Sequence, residues 1–230
     1  IGIYQIKLSG TIIDDLPKGA EFFKDVRFFE NEMSGIMPIE IMVDTKRRNG
    51  ATQLSTLNRV ERLASHIRTV PELSDPLSIA HVAKYAKQTY YNGNPRYFSM
   101  PTRQEYSFIG SYVNNSLSTE GMAESLIDST GQYIRVSTML KDVNTERMEE
   151  IEGDLLTVVG ELFPTDQFET EVTGKALGYL KGTRFLVRNL VLSLSLAVLM
   201  IALFMAYMFR SFRMILISLI PNIIALVLTT

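Results

Sequence analysis

The stretch Asn189–Phe209, NLVLSLSLAVLMIALFMAYMF, decides how the whole chain is read. It is fenced by Arg188 and Arg210 and holds 21 residues without a charge, in a chain that is 21% charged. As a helix rising 1.5 Å per residue it extends about 31 Å, the thickness of a bilayer's hydrocarbon core. Eleven of its residues are Leu, Val, Ile or Phe. Together they favour insertion by roughly 3 to 7 kcal/mol, more than Asn189, Ser193 and Ser195 oppose it. Apolar residues run round every face, which a buried soluble helix rarely shows. The pattern predicts a transmembrane helix over 189–209.

A short polar link, Arg210-Ser211-Phe212-Arg213, leads into a second uncharged segment, Met214–Thr230. The two segments are expected to form an antiparallel hairpin. Pro221-Asn222 falls inside the second, where a proline is tolerated if neighbouring groups satisfy the freed carbonyl. The apolar pattern is still running at Thr230 and the chain starts without Met, as expected of a slice of a longer protein.

Ahead of this hairpin the composition changes. Three of the 23 basic residues lie from Arg188 onward, which leaves 20 against all 25 acidic ones, a net charge near −5. That balance offers no basic patch for nucleic acid. The absence of cysteine excludes a disulfide framework and a thiolate metal site. Arg210 and Arg213 in so short a loop mark it as cytoplasmic, although Lys181, Arg184 and Arg188 at the helix's other end dilute the signal. The soluble part is therefore expected to be extracytoplasmic.

Periodicity organises that part. Tyr4, Ile6 and Leu8 alternate as a strand, and Phe22, Val26, Phe29 and Met33 have helical spacing over 19–33. Ile39, Ile41 and Val43 predict a second strand. Leu57, Val60, Leu63, Ile67 and Val70 line a helix ending before Pro71, with a short extended piece expected at Val70–Ser74. Asp75-Pro76 signals a helix start, so 76–90 and 103–130 are predicted mostly helical around the turn-rich Asn92–Pro101. Ile134, Val136, Thr138 and Leu140 predict a strand. Asn144 caps a helix with apolar face Met148, Ile151, Leu155, Val158 and Leu162, closing at Pro164. Phe168, Thr170 and Val172 predict a last strand ended by Gly174.

The order amounts to an α+β fold, a ferredoxin-like split β-α-β unit with a helical insertion at about 75–130, followed by the transmembrane hairpin. The expected domains are 1–34, an N-terminal strand and helix; 35–174, the soluble domain; 175–188, a linker to the membrane; 189–209, the first span; and 214–230, part of a second.

Few residues point to chemistry. His66 and His81 fall on different predicted helices without a metal-ligand spacing. Glu149, Glu150, Glu152 and Asp154 read as a solvated helix face. Ser9-Gly10, Ser34-Gly35 and Thr173-Gly174 read as turns, lacking the surroundings of a nucleophile elbow or a phosphate loop. No catalytic, cofactor-binding or metal-ligating residue is expected. Tyr85, Tyr90, Tyr91, Tyr97, Phe98 and Tyr106 concentrate in the insertion, as core packing or as the lining of a hydrophobic substrate path.

The run VTGKALGYLKGTRFLVRNL (Val172–Leu190), leading into MFRSFRMILISLIPN (Met208–Asn222), resembles the junction between a porter domain and its following helices in resistance–nodulation–division (RND) exporters, in the MMPL-like or Patched-like branch. The matching residues are Thr173-Gly174, Phe209-Arg210-Ser211 with Arg213, and Pro221-Asn222. GIMPIEIMVDT (Gly35–Thr45) resembles the branch's first porter strand. Relatives carry a further proline near position 225, where this chain has Ala225, a change expected to alter a kink.

The resemblance implies a multi-pass transporter of the bacterial inner membrane, driven by protons, that exports hydrophobic or lipid-like substrates. Its soluble part would be a periplasmic porter domain. The partners implied are the lipid bilayer, that substrate, and the rest of the same transporter, including further helices and a second porter domain, with homo-oligomerisation left open and no cofactor. Proton-carrying residues would belong to later helices, since Asn189–Thr230 holds no acid. Two other classes compete. A membrane-anchored extracytoplasmic sensor or ligand-binding module would need a cytoplasmic output domain, and a membrane-bound hydrolase lacks a nucleophile–base–acid constellation.

Overall fold

The computed structural model describes residues 21–118 and 125–209. The expected strand at Tyr4–Leu8 and the second span at 214–230 lie outside them. The chain divides into two compact units, Ser9–Gly178 and a unit combining Ile1–Leu8 with Tyr179–Thr230.

The first unit is built on β1 (Met37–Asp44), whose side chains alternate between buried and half-buried along all eight residues. β1 pairs antiparallel with β2 (Tyr133–Leu140) over its whole length and with β3 (Glu169–Thr173) on its other side, giving the order β2-β1-β3. Period-2 patterning places Ile39, Ile41 and Val43 beside Ile134, Val136 and Leu140 on one face, all fully buried. Glu40, Met42, Asp44, Tyr133, Arg135, Glu169 and Glu171 fall on the other face, none of them buried. One sheet face thus enters the core, and the other holds half-buried and exposed residues.

Helices α2 (Leu54–Ile67) and α5 (Thr145–Leu162) lie side by side and complete the core with Leu57, Val60, Leu63 and Ile67 from one and Met148, Ile151, Leu155 and Val159 from the other. Burying each such side chain contributes roughly 1.5–3 kcal/mol. Val159 replaces the expected Val158 in this face, because the 3.6-residue turn carries Val158 sideways to a half-buried position. Asn144 caps α5 as read, its side chain accepting the Arg147 N–H at 2.8 Å. α1 (Glu21–Met33) matches the expected helix and leaves Phe22, Phe28 and Phe29 exposed.

Three expectations need correction. Val70–Ser74 makes no strand; two isolated bridges, Leu73 with Leu140 and Leu77 with Ser137, run along the outer edge of β2 instead. Five residues there, 73–77, oppose four, 137–140, and Pro76 supplies no N–H, so the ladder cannot continue. The following helix, α3 (Ile79–Tyr90), starts after Ser78 and not at Pro76, because Leu77 exchanges backbone hydrogen bonds with Ser137 at 2.7 and 3.0 Å. α4 (Arg103–Ser118) does not extend to 130: Leu126 accepts the Arg135 N–H, and Asp128 closes a turn onto the N–H groups of Thr130, Gln132 and Tyr133.

At the end of β3, Gly174 has φ +117°, and a Cβ there would lie 2.4 Å from the Pro38 carbonyl oxygen. Only glycine fits this close approach. α6 then runs without interruption from Lys175 to Phe209, so the segment expected as a linker is helical. From Phe185 to Met208 most of its large apolar side chains are exposed, while Val187, Leu194, Val198, Ile201 and Met205 are half-buried. Among the described residues α6 alone is long and apolar enough to cross a membrane.

Candidate substrate-facing surface of the helical insertion

The insertion is a hairpin of α3 and α4 joined by Tyr91–Thr102, with a 3₁₀ turn at Pro95–Tyr97. The Asn94 side chain accepts the Arg96 N–H and starts that turn. It folds the connection back on α3 and gathers five of the six expected aromatic residues. Tyr97 stacks on Tyr91 with centroids 4.0 Å apart and planes 15° from parallel, and Tyr90 meets Tyr91 edge-on at 5.3 Å. Phe98 meets Tyr85 edge-on at 4.9 Å, with His81 6.4 Å away and Lys84 Nζ 5.7 Å from its ring. Tyr85, Tyr90, Tyr97 and Phe98 are exposed, Tyr85 by 60%. Such rings present rigid apolar area at low entropic cost.

Tyr106 does not join them. Its hydroxyl donates to the Thr52 carbonyl, burial raises its pKa, and it lines a cleft of about 640 Å³ between α2 and α4 with Leu54, Asn58 and Arg103. The expected site is therefore split between an aromatic surface and a cleft.

Beneath the rings lies a frame of ion pairs that sequence reading missed. Lys84 and Lys87 are both buried, on the alanine-rich face of α3 with Ala80, Ala83 and Ala86. Lys84 pairs with Glu61 on α2. Lys87 pairs with Glu105 on α4 at 2.9 Å and also reaches Ser99 and the Met100 carbonyl. Buried ammonium groups need such partners. The Thr102 N–H and the Lys87 ammonium hold the Glu105 carboxyl down at about 2, and Glu105 accepts the Tyr91 hydroxyl at 3.3 Å. The available signal was two lysines three apart among alanines, with no carboxylate at i±4 to serve them.

At the other end of α3, Arg68 bridges Asp75 at 2.5 Å and Glu61 at 3.3 Å. His81 sits 3.7 Å from Asp75 and accepts or donates to Ser78, and burial, helped by Lys84 and Arg68, lowers its pKa. His66 binds Asp154 at 2.7 Å and ties α2 to α5. Both histidines are thus engaged in pairs between structural elements. Glu149 and Glu150 lie on the exposed face of α5, as read. Among the described residues no group of three His, Cys, Asp or Glu is arranged to hold a metal. The surface thus combines planar apolar rings with fixed charge at its rim.

Of the junction residues, Thr173 ends β3, Gly174 makes the turn and Phe209 ends α6; Arg210, Ser211, Arg213, Pro221 and Asn222 lie outside the described residues. The model of the MMPL family matches residues 14–230. No curated protein matches the chain.

Proposed function

Since the chain belongs to the MMPL family, whose members are membrane transporters, we propose that it forms part of an RND-type, proton-driven exporter of hydrophobic or lipid-like substrates. One observation carries the reading: a soluble α+β domain passes through Thr173-Gly174 straight into a helix of 35 residues with no charge from Asn189 to Phe209. Residues 35–174 are the porter domain, on the extracytoplasmic side. Its ferredoxin-like character is supported by the sequence of pairings: Leu73 and Leu77 bridge to β2, β2 to β1, and β1 to β3, all antiparallel.

In this reading the surface of Tyr85, Tyr90, Tyr97 and Phe98 receives the apolar part of the substrate, and the Lys87–Glu105 and Lys84–Glu61 pairs keep α3 and α4 fixed beneath it. The proton relay belongs to parts of the transporter beyond these residues. The test is transport of a fluorescent lipid by the full-length protein in sealed vesicles. Movement that stops when the proton gradient is collapsed, and falls severalfold in a Tyr85→Ala, Phe98→Ala variant, supports the reading. Movement indifferent to the gradient sinks it.

A further inference from the structure

The N-terminal turn of α2 borders a cavity of about 130 Å³ that the substrate-facing surface does not use. That volume has room for a compact oxyanion. Its polar lining includes Arg47, Gln53, Thr56, Arg59 and Gln167, with Thr45, whose hydroxyl is already engaged with the Arg47 and Gln132 carbonyls, and no acidic residue contributes to it.

Three independent features converge there. The first is the helix end itself: Gln53 at the cap position makes no side-chain capping bond, the first turn carries no acid, and the N–H groups of Ser55 and Thr56 have no protein acceptor among the described residues. Those donors and the helix dipole favour negative charge. The second is Thr56, only 3% exposed, which lines the cavity with a hydroxyl that has no hydrogen-bond partner among the described residues.

The third feature is the pair of guanidinium groups. Arg59 is fixed by an N–H donated to the Leu162 carbonyl and by its seat 5.5 Å over the Phe168 ring, and its other donors have no acceptor among the described residues. Arg47 is exposed and makes no ion pair among the described residues, and Lys46 and Arg48 flank it in sequence. Gly50 lets the chain pack closely against Thr45 at the cavity's edge, since a Cβ there would sit 2.2 Å from Thr45 Oγ1.

We propose that this cavity binds a phosphate group, gripped by the Ser55 and Thr56 amides and the Thr56 hydroxyl and charge-matched by Arg47 and Arg59. Planar guanidinium donors suit phosphate oxygens. Lipid headgroup and free phosphate share this chemistry.

The test uses the full-length protein in neutral detergent, with inorganic phosphate titrated against chloride at fixed ionic strength. A saturable rise in the melting temperature followed by far-UV circular dichroism is expected, because a ligand of the folded state stabilises it by mass action. Arg47→Gln and Thr56→Val should each weaken apparent phosphate affinity about tenfold or more. Arg47 is exposed and unpartnered, so its variant keeps the test open if Thr56→Val fails to fold. No saturable rise over chloride, or variants that respond like the parent, would overturn the site. Competition by short-chain phosphatidic acid below the phosphate concentration needed would identify a lipid headgroup; competition only at equal or higher concentration identifies free phosphate. Failure here leaves the exporter reading untouched, because that reading does not use this cavity.

Discussion

Helices α5 and α6 solve opposite problems. α5 carries seven charged residues in eighteen, yet it buries a clean stripe of Met148, Ile151, Leu155 and Val159. α6 has no charge from Asn189 to Phe209 and leaves Leu192, Leu196, Phe204 and Tyr207 exposed, with Leu194, Val198, Ile201 and Met205 half-buried. Apolar content therefore does not measure burial inside the protein; it reports the solvent a helix is built for. α5 is divided between water and a core. α6 shows no such division between polar and apolar faces, the composition expected of a helix meant for hydrocarbon, where backbone bonds must be satisfied within the helix itself.

One pair of substitutions breaks this comparison most directly. Leu196→Arg in α6 replaces a favourable insertion contribution with an unfavourable one, a change of about 3–4 kcal/mol near the span's centre. Most of the protein should leave the carbonate-resistant membrane fraction. Leu156→Arg in α5 places the same charge at a position 51% exposed. Its melting temperature and membrane fraction should stay at parental values, since such surface changes fall within about 0.5 kcal/mol. Equal losses from the two would mean that α6 is held by protein contacts instead of lipid.

The next largest effect inverts the pair. Leu155 is fully buried, so Leu155→Ala should cost about 3 kcal/mol through lost transfer energy and the cavity left behind. Chemical denaturation of the soluble domain would show it as a lower midpoint at unchanged slope. Leu199→Ala, exposed on α6, should leave that midpoint alone.

The same contrast explains what could be read without a structure. β1 and β2 were legible because strict alternation in MPIEIMVD and YIRVSTML admits one burial pattern. α6 was legible because length and missing charge need no partner to interpret. The edge pairing at Leu73–Leu77 was not, since Pro76 breaks the ladder and only β2's backbone shows where the segment goes. Tyr106 was misplaced with the other aromatic residues because its neighbour, the Thr52 carbonyl, is distant in sequence. Lys84 and Lys87 look like surface residues until α2 and α4 bring Glu61 and Glu105 against them. Local periodicity carries local structure; pairings across elements need the fold.

Acid titration sharpens the contrast further. The Glu105 carboxyl is depressed from 4.5 to about 2, first by the Thr102 N–H and then by Lys87. A depressed carboxylate adds stability that is present above its unfolded value and drains away as pH falls from 4.5 towards 2. The soluble domain should lose melting temperature across that window, and Glu105→Gln should flatten the slope while lowering stability at neutral pH. α6 carries no acid, so its helical signal in bilayers should not follow the same titration. A parallel loss of both signals would tie α6's order to the soluble domain.

The smallest effect concerns how a helix begins in water. Asn144 accepts the Arg147 N–H at 2.8 Å, and Glu146 adds negative charge to the first turn of α5. Asn144→Ala leaves that donor to solvent at a cost of about 1 kcal/mol, whereas Asn144→Asp should cost far less because its carboxylate makes the same bond and complements the dipole. Denaturant midpoints of the two variants separate capping from side-chain size. If alanine and aspartate variants matched, the start of α5 would be fixed by the burial of Met148 and Ile151 alone. The polar cap would then be no more necessary to a water-facing helix than it is within the uncharged stretch of α6.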